Sequence, residues 1–296
     1  MRVNPDPYPD LLAAVAQTQQ EIQTDEQEIA SGQSVNLPSD NPAAAAELVR
    51  NADQASQDDQ FQRSIGSIQG EMQDADSALN SVTAALQQAI SLGTEGANGT
   101  LNASDRQAIV VQVQGIQTQL IALANLSYQG NYVFAGTATQ TVPYVLDPSS
   151  SSGVNYQGNT GVNKVTLGSN FSLQTNLPGS QLFSSGTGMF QAVQDLITGL
   201  QTGDTASIGT AVNELSSASQ SVDSQAVFYG NGLSQLTSQQ TYLSTETTEL
   251  DQQETTVAGA DLPAVISNLT TAQTSLEASL EAIGQTANTN LFEYLK

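Results

Sequence analysis

The residues able to do chemistry are few, and their spacing suits catalysis poorly. The 296-residue chain contains no His and no Cys, so the commonest general base, the soft metal ligands and the redox thiol are all missing. A Ser–Lys dyad could draw only on Lys164, inside a β-prone stretch, or on Lys296, the last residue. Asp147, Ser149, Ser151 and Gly153 are spaced like the start of a calcium loop, but Gly158 stands where a bidentate carboxylate is needed. No Gly-x-Ser-x-Gly elbow, phosphate-cradling Gly-rich loop or dinucleotide fingerprint occurs. The expectation is a protein that is not an enzyme, with no catalytic, cofactor-binding or metal residues and no cofactor.

Charge narrows the partners. Six basic residues against 29 acidic ones give a net charge of −23, which repels phosphate, so no nucleic-acid partner is expected. No stretch approaches the roughly 18 consecutive apolar residues of a membrane span, and no membrane partner is expected either. The segment Met1–Asp10 lacks the apolar core of a secretory signal peptide, so any exit from the cell would be signal-independent. Absence of Cys also means that no disulfide holds the fold and that an oxidising exterior could not scramble it.

With little chemistry to position, the elements themselves carry the information. Val15, Ile22 and Ile29 recur every seven residues between about Asp10 and Ser31, with Leu11 and Thr18 at the intermediate steps: a narrow helical seam. The prolines before Asp10 predict an extended or disordered start. Asn36 to Pro42 reads as a loop, with Asn41 placed to cap the next helix and Pro42 at its first position. From Phe61 through Met72, Leu79 and Leu86 to Ala89, three- and four-residue spacing predicts one buried stripe that Gly93, Gly96 and Gly99 end. Gly66 and Gly70 within it read as close helix packing rather than a membrane motif. Ser104-Asp105-Arg106-Gln107 has the form of a capping box opening a third helix, seamed by Ile109, Val113, Ile116, Leu120 and Leu123.

Composition then changes. Tyr132–Phe134, Val142–Leu146, Val154–Tyr156, Val165–Leu167 and Phe171–Leu173 are short β-prone runs separated by Gly, Ser, Asn, Asp and Pro. They predict a small β-rich insertion at about 136–186. Helical pattern resumes at Met189–Leu200 and again from Ile208 to Val257, a register that predicts a helix of roughly 75 Å at about 1.5 Å per residue, weakened at Gly230 and Gly232. A last helix follows Asp261, carrying Leu262, Ile266, Leu269, Gln273, Leu276, Leu280 and Ile283, and the chain closes on Leu291-Phe292-Glu293-Tyr294-Leu295.

Both ends are therefore single helices with one narrow seam each, and the natural way to bury them is against each other and against copies of the chain. Such helices are marginal alone, so the ends are expected to order on polymerisation. The candidate assembly interface is Val15, Ile22, Ile29, Leu269, Leu276, Leu280, Ile283 and Leu291. The fold class expected is mainly α: a long coiled-coil-like helical rod built from N- and C-terminal segments, with a small β-rich inserted domain. Its parts would be 1–40 with 258–296 as an axial core of terminal helices, 41–135 with 187–257 as a helical rod, and 136–186 as the insertion. The bland alternative for each seam is the core of an ordinary bundle.

Three stretches resemble the flagellin superfamily, and within it the hook–filament junction family. They are Ala30–Ala45, with its Pro38-Ser39-Asp40-Asn41-Pro42 core; Ala97–Ile109 continued by Gly130–Thr137, with a Tyr132-x-Phe134-x-Gly136 element; and Ala260–Leu295. Gln33, Ser34 and Leu37 stand where that family often has Lys or Arg. The resemblance implies export through the flagellar type III apparatus and a ring of subunits at the hook end, with both terminal helices in the axial core and Pro38, Ser39, Asp40 and Pro42 as a junction loop. It implies as partners copies of the chain, a neighbouring hook-associated protein, flagellin and an export chaperone. Alternatives are bulk flagellin, or a binding module carried by the β insertion on a coiled-coil stalk.

Overall fold

The computed structural model describes residues 8–184 and 188–293, and side chains of the last helix only as far as residue 285. Among these residues there are seven helices, α1 (Tyr8–Ser31), α2 (Pro42–Gly96), α3 (Ala103–Ala124), α4 (Gly179–Phe183), α5 (Met189–Thr202), α6 (Thr205–Ala258) and α7 (Leu262–Glu293). Six short strands accompany them: β1 (Ser127–Tyr128), β2 (Asn131–Tyr132), β3 (Tyr144–Leu146), β4 (Val154–Tyr156), β5 (Lys164–Thr166) and β6 (Ser172–Gln174). They form three antiparallel pairs, β1–β2, β3–β4 and β5–β6. The fold is mainly α with a small β-containing region, as the sequence led us to expect. The expected extended start before Asp10 falls largely on residues 1–7, outside the described residues; α1 begins at Tyr8.

Capping chemistry sets several helix boundaries. Asn41 Oδ1 accepts the Ala44 amide at 3.1 Å, and Pro42 takes the first position of α2, where its missing donor is harmless. The cap of α3 is Asn102, not the Ser104 that the sequence pattern suggested. Asn102 Oδ1 accepts the Asp105 amide at 2.9 Å, which leaves Ser104 inside the first turn. α5 ends at Gly203, whose φ of 74° closes a left-handed cap onto Gly199. Asp204 then opens α6 by accepting from Ser207 Oγ and the Ala206 amide, and these bonds hold its carboxyl below the ordinary aspartate range.

The chain divides into two compact units, residues 1–57 with 244–296, and residues 58–243. In the second, Met72, Leu79, Val82 and Leu86 of α2, Val113 and Leu120 of α3, Leu196 of α5 and Leu215, Tyr229 and Leu236 of α6 join one buried core. α6 runs unbroken through Gly230 and Gly232. A Cβ on Gly232 would lie 2.5 Å from Met72 Cε, so the missing side chain makes room for the methionine. A Cβ on Gly70 would meet the Tyr128 hydroxyl at 2.5 Å, while nothing lies near Gly66, so close packing holds for one glycine of that pair.

The hairpins lie on this helical core rather than apart from it. Phe134, Tyr144, Tyr156, Phe183 and Phe190 form a chain of ring contacts with centroids 4.9 to 6.4 Å apart, and most of these rings are part of the same buried core. The Asn125 amide at the end of α3 both donates to and accepts from the Tyr144 backbone, at 2.7 and 2.8 Å, imitating a strand neighbour. The buried Tyr229 hydroxyl accepts the Leu177 amide at 3.3 Å, and Gln239 Nε2 donates to the Leu167 carbonyl at 2.9 Å. Such bonds satisfy backbone groups that two-stranded pairs leave open. Gly136 has φ 74°, and a Cβ there would run into Asn159, which gives the Tyr132-x-Phe134-x-Gly136 element its physical reason.

The first unit is built differently. Gly32, at φ 71°, turns the chain after α1, and the Ser34 amide donates to the Ala258 carbonyl at 2.6 Å while Ala260 donates back to Gly32 at 3.0 Å. Val35, Ala44 and Ala258 make a small buried cluster there. Asp261 Oδ1 accepts the Ala264 amide at 3.3 Å and starts α7, which packs along α1.

Candidate assembly surfaces

α1 uses the seam its spacing predicts. Val15 is 8% exposed, and Leu11, Thr18, Ile22, Asp25 and Ile29 are half-buried at alternating three- and four-residue steps. A carboxylate, Asp25, therefore occupies a seam position. Burial, then Asp25 and Asp40, raises the pKa of the nearby Glu28 carboxyl.

On α7 the structure buries a different flank from the one read in the sequence. Leu262, Leu269, Leu276 and Ile283 form a spine spaced by seven, and a heptad pattern allows the second row to lie three residues ahead or four. The expected row was Ile266, Gln273, Leu280. The row that the chain itself buries is Val265, Ala272 and the half-buried Ser279, while Ile266 stays 52% and Leu280 50% exposed. Small side chains let two helices approach closely, which explains why the small-residue flank faces inward. The bulky flank is left open, with Glu277 between Gln273 and Leu280 on the same stripe.

Of the candidate interface residues, Val15 is thus buried and Ile22, Ile29, Leu269, Leu276 and Ile283 are half-buried. Leu280 faces solvent, and the side chain of Leu291 lies outside the described residues. Sequence reasoning missed Leu12, 48% exposed, whose only signal was the doubled Leu11-Leu12. It also placed Ile266 on the seam without adding it to the interface. A single chain already pairs the two end helices and leaves this outer flank in solvent.

The loop before α2 is held open by its own hydrogen bonds. Asp40 Oδ2 accepts the amides of Asn36 at 3.1 Å and Leu37 at 2.7 Å, and Asn36 Nδ2 donates to Gln33 O at 2.8 Å. Pro38, Ser39, Asp40 and Pro42 all face solvent, as does Leu37. A loop that spends its polar groups on itself presents a fixed outer surface.

Lys164 is exposed on β5, and Asp147 accepts from Ser149 Oγ at 2.5 Å and the Ser149 amide at 3.0 Å, which keeps its carboxyl below the ordinary range. Among the described residues no three His, Cys, Asp or Glu side chains are placed to hold a metal ion. No helix among them is long and apolar enough to cross a membrane. Burial raises the Tyr144 and Tyr229 phenols above their usual range, so both stay neutral packing groups.

End helices that pair, a loop with fixed outer groups and a helical core bearing small hairpins define a mainly α chain with a small β-containing region. Residues 8–139 match the bacterial flagellin N-terminal helical region. The particular likeness is to flagellar hook-associated protein 3: that of Escherichia coli K12 is 25% identical over 98% of this chain and 98% of its own length. The fold is that of FlgL from Bacillus cereus, at TM-score 0.61 and 20% identity over 70% of this chain and 99% of that one. It is also that of the flagellar junction protein FlgL from Legionella pneumophila, at TM-score 0.61 and 13% identity over 72% of this chain and all of the other. The chain thus resembles flagellar hook-associated protein 3 over nearly its whole length, and its N-terminal helical part resembles that of flagellin.

Proposed function

We propose that this chain is the subunit that joins hook to filament, assembling as a ring through the α1–α7 pair after export by the flagellar type III apparatus. The observation that carries the reading is likeness to flagellar hook-associated protein 3 along nearly the whole of both chains. The open flank of α7 supports it physically. Ile266 and Leu280, with Leu12 on α1, are apolar side chains left half in water on helices that pack on one side only, and a neighbouring copy would remove them from solvent. The inner row, with Val15, Ile22, Ile29, Leu269, Leu276 and Ile283, holds the pair in shape for that contact, and Pro38, Ser39, Asp40 and Pro42 form the loop presented to an axial neighbour. Partners on this reading are copies of the chain, an adjoining hook-associated protein, flagellin, and a chaperone that keeps the ends apart before export.

Deleting the gene and examining cells by electron microscopy tests the reading. Hooks without filaments, with flagellin shed into the medium and filaments restored by complementation, are the expected result. Normal filaments on the deletion strain would end it.

A further inference from the structure

Asn followed by Gly is the dipeptide in which a main-chain nitrogen most easily reaches a side-chain carboxamide, because glycine adds no Cβ to crowd the approach. The chain contains it twice, at Asn98-Gly99 and Asn231-Gly232, and the structure sets the two apart. Asn98 and Gly99 are exposed in the link between α2 and α3, in a turn closed by the Leu101 amide on the Asn98 carbonyl at 3.1 Å. Nothing lies within 4 Å of the place a Gly99 Cβ would take. The Asn98 side chain is folded forward along its own following peptide: Oδ1 accepts the Thr100 amide at 3.2 Å and Thr100 Oγ1 at 2.9 Å. Asn231 lies inside α6. There the side chain leans toward the helix N-terminus, away from the nitrogen that follows it, and that nitrogen is committed to the helix. Gly232 is buried against Met72.

We propose that Asn98 is a site of self-modification, converting to aspartate and isoaspartate through a succinimide in the folded chain while Asn231 is spared. The Gly99 nitrogen, its proton lost to solvent, attacks Asn98 Cγ. The new C–N bond closes the succinimide ring, the Cγ–Nδ2 bond breaks, and the amide group leaves as ammonia after taking a proton from solvent. Water then adds to either ring carbonyl and breaks its bond to the ring nitrogen. Opening at Cγ restores the ordinary backbone with an aspartate side chain, whereas opening at the main-chain carbonyl routes the backbone through Cγ as isoaspartate. Negative charge builds on Oδ1 during ring closure, so the two Thr100 donors hold that oxygen more strongly in the transition state than before it. Either product places a carboxylate, ionised at neutral pH, in the loop between two helices. The reaction needs no partner and is independent of assembly.

The test incubates the purified full chain in mildly alkaline buffer, native and in parallel in concentrated urea. Peptide mapping by mass spectrometry follows both sites, reading the exchange of amide for carboxyl and separating isoaspartate from aspartate by elution. In native protein Asn98 is expected to react about tenfold or more faster than Asn231, the difference collapsing in urea as α6 melts. Thr100→Val keeps the backbone donor and removes the hydroxyl. It should slow Asn98 about fivefold, equivalent to about 1 kcal/mol, with Asn231 still protected as the sign that the fold is intact. Equal native rates at the two sites, or a native Asn98 that stays intact while urea-treated Asn98 reacts, overturn the proposal. An unchanged Asn98 rate in Thr100→Val overturns the role given to the hydroxyl.

Discussion

Within residues 58–243, Phe134, Leu79, Leu86, Leu120 and Tyr229 are fully buried; in the described part of the other unit nothing larger than valine is buried, at Val15, Val35 and Val265. Both regions follow three- and four-residue apolar spacing, so periodicity alone does not set how deep an interior becomes. What differs is the number of elements converging on the stripe. α2, α3, α5, α6 and the hairpins surround one core, whereas α1 and α7 have each other. A paired helix of this composition gains little from propensity and depends on its packed face. Residues 58–243 should therefore set global stability, and the end helices should open locally well before it.

The largest effect that could break this comparison is a core truncation. Phe134→Ala removes a fully buried ring and should cost about 3–5 kcal/mol in urea unfolding. Val15→Ala should cost at most about 1.5 kcal/mol, felt as faster amide exchange in α1 with the main urea transition unmoved. Equal losses in global stability would mean that the two units are not energetically distinct.

Glycines give a smaller test. A Cβ on Gly93 would lie 2.6 Å from Val212 Cγ2 and 3.0 Å from Leu196 Cδ1, so Gly93→Ala overpacks a stiff contact and should lower stability by about 1–3 kcal/mol, less the helix-propensity gain. Gly230 has nothing within 4 Å of that position, and Gly230→Ala should raise stability by about 0.4–1 kcal/mol. Thermal melts of the two variants should move in opposite directions. A shared sign would show that the helix around residue 93 repacks freely.

The smallest effect concerns Glu71, whose carboxyl pKa is raised by burial. Below the unfolded value of about 4.3 both states are protonated and the group costs nothing. As pH rises through the folded value, the native carboxyl must ionise in a poorly solvated place, and the stability present in acid is lost. Glu71→Gln should then be more stable than wild type at neutral pH, with the difference vanishing in acid. Urea midpoints that differ equally at both pH values would assign the effect to something other than ionisation.

Much of this architecture was legible from residue types, where one local interaction decides the outcome. Asn41 with Pro42 marked the start of α2, the long α6 register continued through Gly230 and Gly232, and the β-prone runs Val142–Leu146 and Val154–Tyr156 contain the strands β3 and β4, whose pairing only the structure shows. Strand β1 was missed because its turn is Gln129-Gly130, at φ 48° and 84°. That is a primed-turn geometry usually written Asn-Gly or Asp-Gly. The five residues of α4 are too short for a period to register. The flank of α7 could not be chosen from sequence because the heptad spine at Leu269, Leu276 and Ile283 serves either side equally. Sequence hydrophobicity favoured Ile266 and Leu280, whereas close approach to α1 favoured Val265 and Ala272. For the candidate surface, the seam was readable and its unoccupied side was not.

Hydrogen exchange read by mass spectrometry, on dilute monomer and on concentrated assembled protein, tests the central claim most directly. Amides of residues 9–31 and 262–285 should exchange far faster than those of α3 in the monomer and become protected on assembly. Protection equal to that of α3 in the dilute monomer, unchanged on concentration, would contradict it.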